Sequence, residues 1–146
     1  MVCHDGNQAN PDKDNRFNIL LQSTLRSMNR SLRINEFLAG ELKAEPAIRQ
    51  MNRLLKEDQE HCACLRALLA EVPDLGTKEM TVSRETVLTP LEGLRRAIDE
   101  ELQSVSLCLE LADLASDQLR DTFRKLAMTQ QQHAVWLLYF YTLNKK

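Results

Sequence analysis

The amino-acid sequence predicts an all-α protein, a four-helix bundle built from two antiparallel helical hairpins. Apolar residues recur at helical spacing along four long segments, over about seven positions in each, as they do in helices that bury one face in a shared core. The 146 residues include only four glycines and four prolines, and the prolines stand where breaks between helices are needed. The helical period of the apolar residues and the breaks at the prolines together predict a four-helix bundle.

The first hairpin follows a polar N-terminal segment. Residues 1–15 carry no apolar period and are predicted to form a flexible tail, which leaves 16–146 as a single domain large enough to bury most of its apolar side chains. The first helix is predicted from about Phe17 to Lys43. A second helix, whose first turn contains Pro46, reaches about Glu71.

The second hairpin comes after a long connection. Residues 72–90, VPDLGTKEMTVSRETVLTP, show no sustained period. A third helix follows Pro90 to about Ala115, and Ser116 suits the cap of a fourth helix that ends near Thr142. An extended connection of this size can run along a helix of about 25 residues, which measures roughly 38 Å. The second and third helices are therefore predicted to lie parallel, joined by a long crossover.

Charge and cysteine usage narrow the classes of protein and partner. The formal net charge of −2 gives no electrostatic reason to expect nucleic acid or an anionic membrane as partner. No run approaches the roughly 18 apolar residues of a membrane span, and the N-terminus has no hydrophobic or basic leader, so a cytoplasmic protein is expected. The four cysteines lie mostly within helical patterns and are expected to be reduced thiols.

Polar residues interrupt the apolar seams near the middle of three helices. They are Asp58 in the second, Glu101 in the third, and Gln130 and His133 in the fourth, with His61 one position beside the second seam. Their similar distance from the helix ends predicts one shared layer of the core. A buried carboxylate must be satisfied by hydrogen bonds or a cation, and residues at i and i+3 face the same side of a helix. The pattern therefore predicts a metal site.

The order of these residues resembles the ferritin-like di-iron carboxylate superfamily, in particular its rubrerythrin-like members. There, helices one and three each supply a Glu, and helices two and four each supply Glu-x-x-His. The stretch LLKEDQEH places Asp58 and His61 on the helix-two pair. The stretch AIDEELQSVSLCLELADLASDQLRDTFRKLAMTQQQH places Glu101 at the helix-three ligand and His133 at the helix-four histidine. The resemblance covers about residues 17–143. It implies iron-dependent oxidation, peroxide reduction or iron handling. Because the sequence has no Cys-x-x-Cys pair for a rubredoxin-type iron centre, electrons are expected to come from another protein.

The sequence departs from that family pattern at three ligand positions. Asp58 and Gln130 each replace a Glu, and helix one offers Asn29, Asn35 or Glu36 where the family has a Glu. Asp58 and Glu101 alone neutralise one divalent ion, so a mononuclear or weakened dinuclear site is expected, unless Glu36 faces inward and favours two ions. The expected cofactor is one or two iron ions, with zinc or manganese as alternatives.

Two further segments bear on ligands and partners. Cys62 and Cys108 lie on seams beside the candidate ligands and are interpreted as small buried hydrophobes, although a thiolate ligand would favour zinc. The segment AVWLLYFYTL is apolar nearly all round and cannot bury every side within one bundle, so a homodimer is expected. The alternative to a metal-binding protein is a helical scaffold or binding module without catalytic activity.

Overall fold

The computed structural model describes residues 11–71 and 88–145, and it confirms an all-α protein in that part of the chain. Its four helices are α1 (Pro11–Glu41), α2 (Glu45–Ala70), α3 (Pro90–Leu114) and α4 (Asp117–Asn144). The described residues contain no strand. Helix packing is that of a bundle, in which α1 packs on α2 and α3, α3 packs on α4, and α2 and α4 make the loosest pairing.

The first helix begins earlier than the sequence analysis predicted. It starts at Pro11 rather than near Phe17, and so includes the last residues of the predicted tail. Proline suits the first helical position, and Asp12 and Asp14 in the first turn interact favourably with the positive end of the helix dipole. Residues 1–10 of the predicted tail and 72–87 of the predicted crossover lie outside the described residues.

The starts of the last two helices differ in how they are capped. The Thr89 hydroxyl accepts a hydrogen bond from the Glu92 backbone N–H at 3.2 Å, and the Glu92 carboxylate accepts one from the Thr89 backbone N–H at 3.4 Å. This capping box, together with Pro90 at the first helical position, fixes the start of α3. Ser116 does precede α4, but its side chain makes no capping hydrogen bond to the described residues.

Side-chain contacts establish the directions of the helices. Ser27 meets Ser104 while Asn35 meets Glu101, so α1 and α3 are antiparallel. Asn35 also meets Asp58, and Asn29 meets Arg66, which makes α1 and α2 antiparallel. The helices α2 and α3 therefore point the same way, so the end of α2 and the start of α3 lie at opposite ends of the bundle.

The core consists of two apolar clusters with buried polar residues between them. The first cluster includes Leu21, Leu65, Leu111 and Phe123, and the second includes Leu38, Leu54, Leu94 and Leu137, all of them fully buried. Burying one such side chain contributes about 1.5 to 3 kcal/mol of hydrophobic stabilisation. The polar residues between the clusters are thus enclosed by apolar packing on both sides.

Gly93 allows α3 to approach α1 closely, which leads to a testable difference between two glycines. A Cβ at Gly93 would lie 3.1 Å from Leu38 Cδ2 and 3.3 Å from Phe37 Cε1, whereas no described atom outside the helix's own turns lies within 4 Å of one at Gly40. Alanine in a helix is favoured over glycine by about 1 kcal/mol. We expect Gly40→Ala to raise the free energy of unfolding by part of this amount. Gly93→Ala should be less stable than Gly40→Ala by about 1 kcal/mol or more.

Urea denaturation of the two variants beside the wild-type chain measures this difference. Equal gains in the free energy of unfolding at both positions would show that Leu38 and Phe37 can move aside, and the close approach would then have no energetic consequence.

Candidate metal centre

Three acidic and imidazole side chains from three helices converge in the middle of the bundle. His133 Nδ1 lies 3.2 Å from Asp58 Oδ1 and 3.8 Å from Glu101 Oε2, and the side chains are at most 3% exposed. One ligand atom from each residue can be chosen so that all three lie within 4.8 Å of one another. Atoms that bind one ion at about 2.1 Å lie roughly 3.0 to 3.4 Å apart, so the group needs only a small contraction to hold a metal.

Helix α1 contributes Asn35 to this group. Its side-chain nitrogen donates hydrogen bonds to Asp58 Oδ2 at 2.8 Å and to Glu101 Oε1 at 3.2 Å. Glu36, one of the three residues that the sequence left open in helix one, is exposed and does not join this group. The physical reason is helical phase, because neighbouring residues point about 100° apart and Asn35 takes the inward direction. The third alternative, Asn29, accepts a hydrogen bond from Arg66 instead.

Glu57 is a member of the site that the sequence analysis missed. Its Oε2 accepts a hydrogen bond from His133 Nε2 at 2.7 Å, and its Oε1 accepts one from Arg53 at 3.2 Å. Its side chain is 28% exposed, so it joins the buried imidazole to the surface. A carboxylate behind a metal-binding histidine commonly fixes the tautomer and the ring orientation. No spacing rule marks Glu57, because it lies one step away from the seam within a charged run.

Burial and the surrounding acids shift the pKa values of these groups. Burial lowers the pKa of His133, but Asp58 and Glu101 outweigh burial and raise it to about 10. Burial raises the pKa of Glu101 to about 7, with His133 and Asn35 opposing the rise. Burial likewise favours neutral Glu57, but His133 and Arg53 lower its pKa overall. Without metal, protonated His133 is therefore the counter-charge of the acidic layer.

The two remaining predicted ligands lie close to the triad without joining it. The His61 ring lies beside that of His133, with ring centroids 6.1 Å apart and planes 19° from parallel. Burial lowers the pKa of His61 and favours neutral imidazole, the form that binds metals. Gln130 stands one turn before His133 and is fully buried. The structure therefore brings together Asp58, Glu101 and His133, with His61 and Gln130 as neighbours.

Unpartnered polar atoms are concentrated in this layer. Among the described residues, eight buried side-chain atoms lack a hydrogen-bond partner, and seven of them belong to Asn35, Asp58, His61, Glu101, Gln130 and His133. Asp58 Oδ1 and His133 Nδ1 attract each other as charges but are not aligned as a hydrogen bond. Buried polar groups in native proteins are nearly always satisfied, by protein, water or an ion. This layer is therefore the part of the described chain in which water or an ion would complete the hydrogen bonding.

The buried cysteines take no part in the three-residue group. Cys62 and Cys108 pack in the apolar cluster that includes Leu65 and Leu111. Burial, reinforced by the nearby acids, raises the pKa of Cys62 to about 11 and that of Cys108 to about 12. Both are neutral thiols at pH 7, which fits their interpretation as small buried hydrophobes.

Within residues 11–71 and 88–145, no helix is long and apolar enough to cross a membrane. Comparison of the chain with protein-family models, curated proteins and solved structures finds no match.

Proposed function

We propose that this chain is a ferritin-like metal-binding protein, which holds a divalent ion at Asp58, Glu101 and His133. The observation that carries the proposal is the set of unpartnered buried atoms, because Asp58 Oδ1, Glu101 Oε2 and His133 Nδ1 are the atoms that face one another. Two carboxylates and one imidazole form a donor set that suits iron, manganese or zinc. Iron is proposed as the native metal on the residue pattern shared with the ferritin-like superfamily.

The proposed activity is iron-dependent oxidation or peroxide reduction, or iron handling. A bound iron would supply redox chemistry and polarise oxygen or peroxide. The chain's own residues hold and shield the site. Glu57 fixes the His133 ring through Nε2, and the apolar clusters on either side exclude water. Electrons for such a reaction would come from a separate protein.

Elemental analysis of the untagged protein tests metal binding. Protein purified from cells, and chelator-stripped protein reconstituted with Fe²⁺, Mn²⁺ or Zn²⁺, should contain at least one ion per chain. Bound metal should also raise the melting temperature, because a ligand that binds only the folded state stabilises it. An absence of metal in every preparation, with an unchanged melting temperature, would refute the proposal.

Metal affinity is expected to rise with pH. An ion needs the His133 Nδ1 lone pair, which a proton occupies below the His133 pKa of about 10. Below that pKa each bound ion must displace a proton from His133. Protons therefore outcompete the metal at low pH, and the metal outcompetes protons at high pH. Between pH 7 and 8 we expect the apparent affinity for Zn²⁺ to increase roughly tenfold per pH unit, and below pH 7 more steeply, because Glu101, with a pKa of about 7, must then lose a proton as well.

Competition titrations against a chelator of known affinity at each pH measure this dependence. Calorimetry in buffers of different ionisation enthalpy then counts the protons released. A pH-independent affinity without proton release would exclude His133 as a ligand.

The alternative function is a scaffold or binding module that keeps the bundle without metal. It is favoured by the charge compensation of the carboxylates within the protein, since Asn35 donates a hydrogen bond to one oxygen of each and protonated His133 faces both as a cation. Metal-free protein from cells that gains no stability on reconstitution would support this function.

We further propose that a second copy of the chain packs on the outer face of α4. Met128, Val135, Tyr139 and Leu143 are each more than half exposed, and their spacing places them on one stripe of the helix. A two-fold pairing of this stripe with itself would bury it. Sedimentation should show a dimer for the wild-type chain and a monomer for Val135→Glu. Gln103→Glu, a comparable change at an exposed position of α3, should remain dimeric.

A further inference from the structure

The position of Asn35 bears on how many ions the site can hold. Its amide nitrogen lies between the two buried carboxylates and donates to one oxygen of each, Asp58 Oδ2 and Glu101 Oε1. Ionised carboxylates only accept hydrogen bonds, so the nitrogen rather than the oxygen of the amide must face them. The other oxygen of each carboxylate, Asp58 Oδ1 and Glu101 Oε2, is left without a hydrogen bond and faces His133.

The two carboxylates are thereby divided into a satisfied side and an open side. A cation that bridged Asp58 Oδ2 and Glu101 Oε1 would need the space that the Asn35 nitrogen occupies. An amide NH₂ group has no lone pair available for a metal, so it can replace such a cation but cannot bind one. The open side retains the two oxygens and the imidazole nitrogen that one ion requires.

The charges of the layer agree with this division. Asp58 and Glu101 together neutralise one divalent ion, while Asn35 and Gln130 contribute buried polar groups without charge. Glu36 is exposed, and Glu57 lies on the far side of the His133 ring, bound through Nε2. A second buried divalent ion would therefore carry uncompensated charge, which is costly in a low-dielectric interior.

We infer that Asn35 determines the number of metal ions, because its amide nitrogen occupies the position of a second cation and restricts the site to one. The inference rests on the proposed metal-binding function. It makes Asn35 a residue that sets stoichiometry rather than a ligand. Replacing its amide nitrogen by an oxygen of the same geometry should turn a blocked position into a second metal position.

Asn35→Asp makes that replacement with almost no change in side-chain volume. We expect the wild-type chain to bind one Mn²⁺ and Asn35→Asp to bind two, counted by elemental analysis after equilibrium dialysis. Electron paramagnetic resonance should report an isolated ion in the wild type and an exchange-coupled pair in the variant. Asn29→Asp is the matched control, since it adds the same charge to the same helix at a half-buried position away from the carboxylates.

The possible outcomes separate this inference from the proposed function. Two coupled ions in the wild type, or a single ion in Asn35→Asp, would overturn the inference about Asn35. Either result would still be compatible with the proposed metal-binding function. No bound Mn²⁺, Fe²⁺ or Zn²⁺ in the wild type or in Asn29→Asp would overturn both. Asn35→Asp places three carboxylates together and is to be refolded with Mn²⁺ present if it does not fold without it. Two ions per refolded chain would support the inference.

Discussion

Replacement of Glu101 by Gln is expected to reduce the affinity for a divalent ion by on the order of 100-fold or more, and so to leave the purified protein without metal. Glu101 is fully buried, supplies one of the two negative charges of the triad and presents an unpartnered oxygen toward His133. Glutamine preserves the shape of the side chain while removing its charge. The bundle should therefore remain folded, as circular dichroism can show.

The appropriate control for that variant is Glu110→Gln. Glu110 is exposed on the same helix, so its replacement removes an equal charge without touching the buried layer. The metal affinity, measured by competition with a chelator, should match the wild-type value in Glu110→Gln but not in Glu101→Gln. If Glu101→Gln retained its full metal content, the ion would have to bind elsewhere in the protein.

Replacement of Phe123 by Ala is expected to have the largest effect on stability, about 3 to 5 kcal/mol. Phe123 is fully buried and packs edge to face against Phe17, with ring centroids 5.8 Å apart. Truncation removes the transfer free energy of the ring and leaves a cavity that the four helices can close only in part. Chemical denaturation in the presence of a chelator measures the loss without a contribution from bound metal.

Leu109 provides the comparison at an exposed apolar position, on α3 and outside the α4 stripe proposed to pair in a dimer. It is 49% exposed, and Leu109→Ala should change the free energy of unfolding by less than about 0.5 kcal/mol. A loss below about 1 kcal/mol for Phe123→Ala would mean that the cluster around this ring repacks or is loosely ordered in solution.

Sequence periodicity predicted the helices well because long amphipathic segments must bury their apolar faces. It also marked Asp58, Glu101 and His133, since a charged residue on an apolar seam is conspicuous. The choice between Asn29, Asn35 and Glu36 stayed open because the apolar seam of helix one includes Asn35, whereas alignment to the family pattern, which has a Glu there, lands near Asn29. The structure resolves this ambiguity in favour of Asn35.

Other features were outside the reach of the pattern. Glu57 lies in the charged run KEDQE, which gives no sign of a buried partner, and only the three-dimensional packing of α4 on α2 places His133 against it. Helix α1 also buries Thr24, Ser27 and Ser31, which its apolar seam did not include. Thr24 satisfies its hydroxyl with the Leu20 carbonyl and Ser27 bonds to Ser104, whereas Ser31 Oγ has no hydrogen-bond partner among the described residues. Such small hydroxyl residues bury readily once local or interhelical partners are in place.

The loose pairing of α2 and α4 has a consequence for kinetics. On that side His133 bonds to Glu57, whose side chain is 28% exposed, whereas α1 and α3 pack closely on each other. An ion bound at the proposed site would then exchange with solvent most readily by a local separation of these two helices, an opening that costs less free energy than global unfolding. The residence time of the ion is expected to follow the frequency of that opening, so two variants with equal affinity can differ widely in how fast they load and release metal.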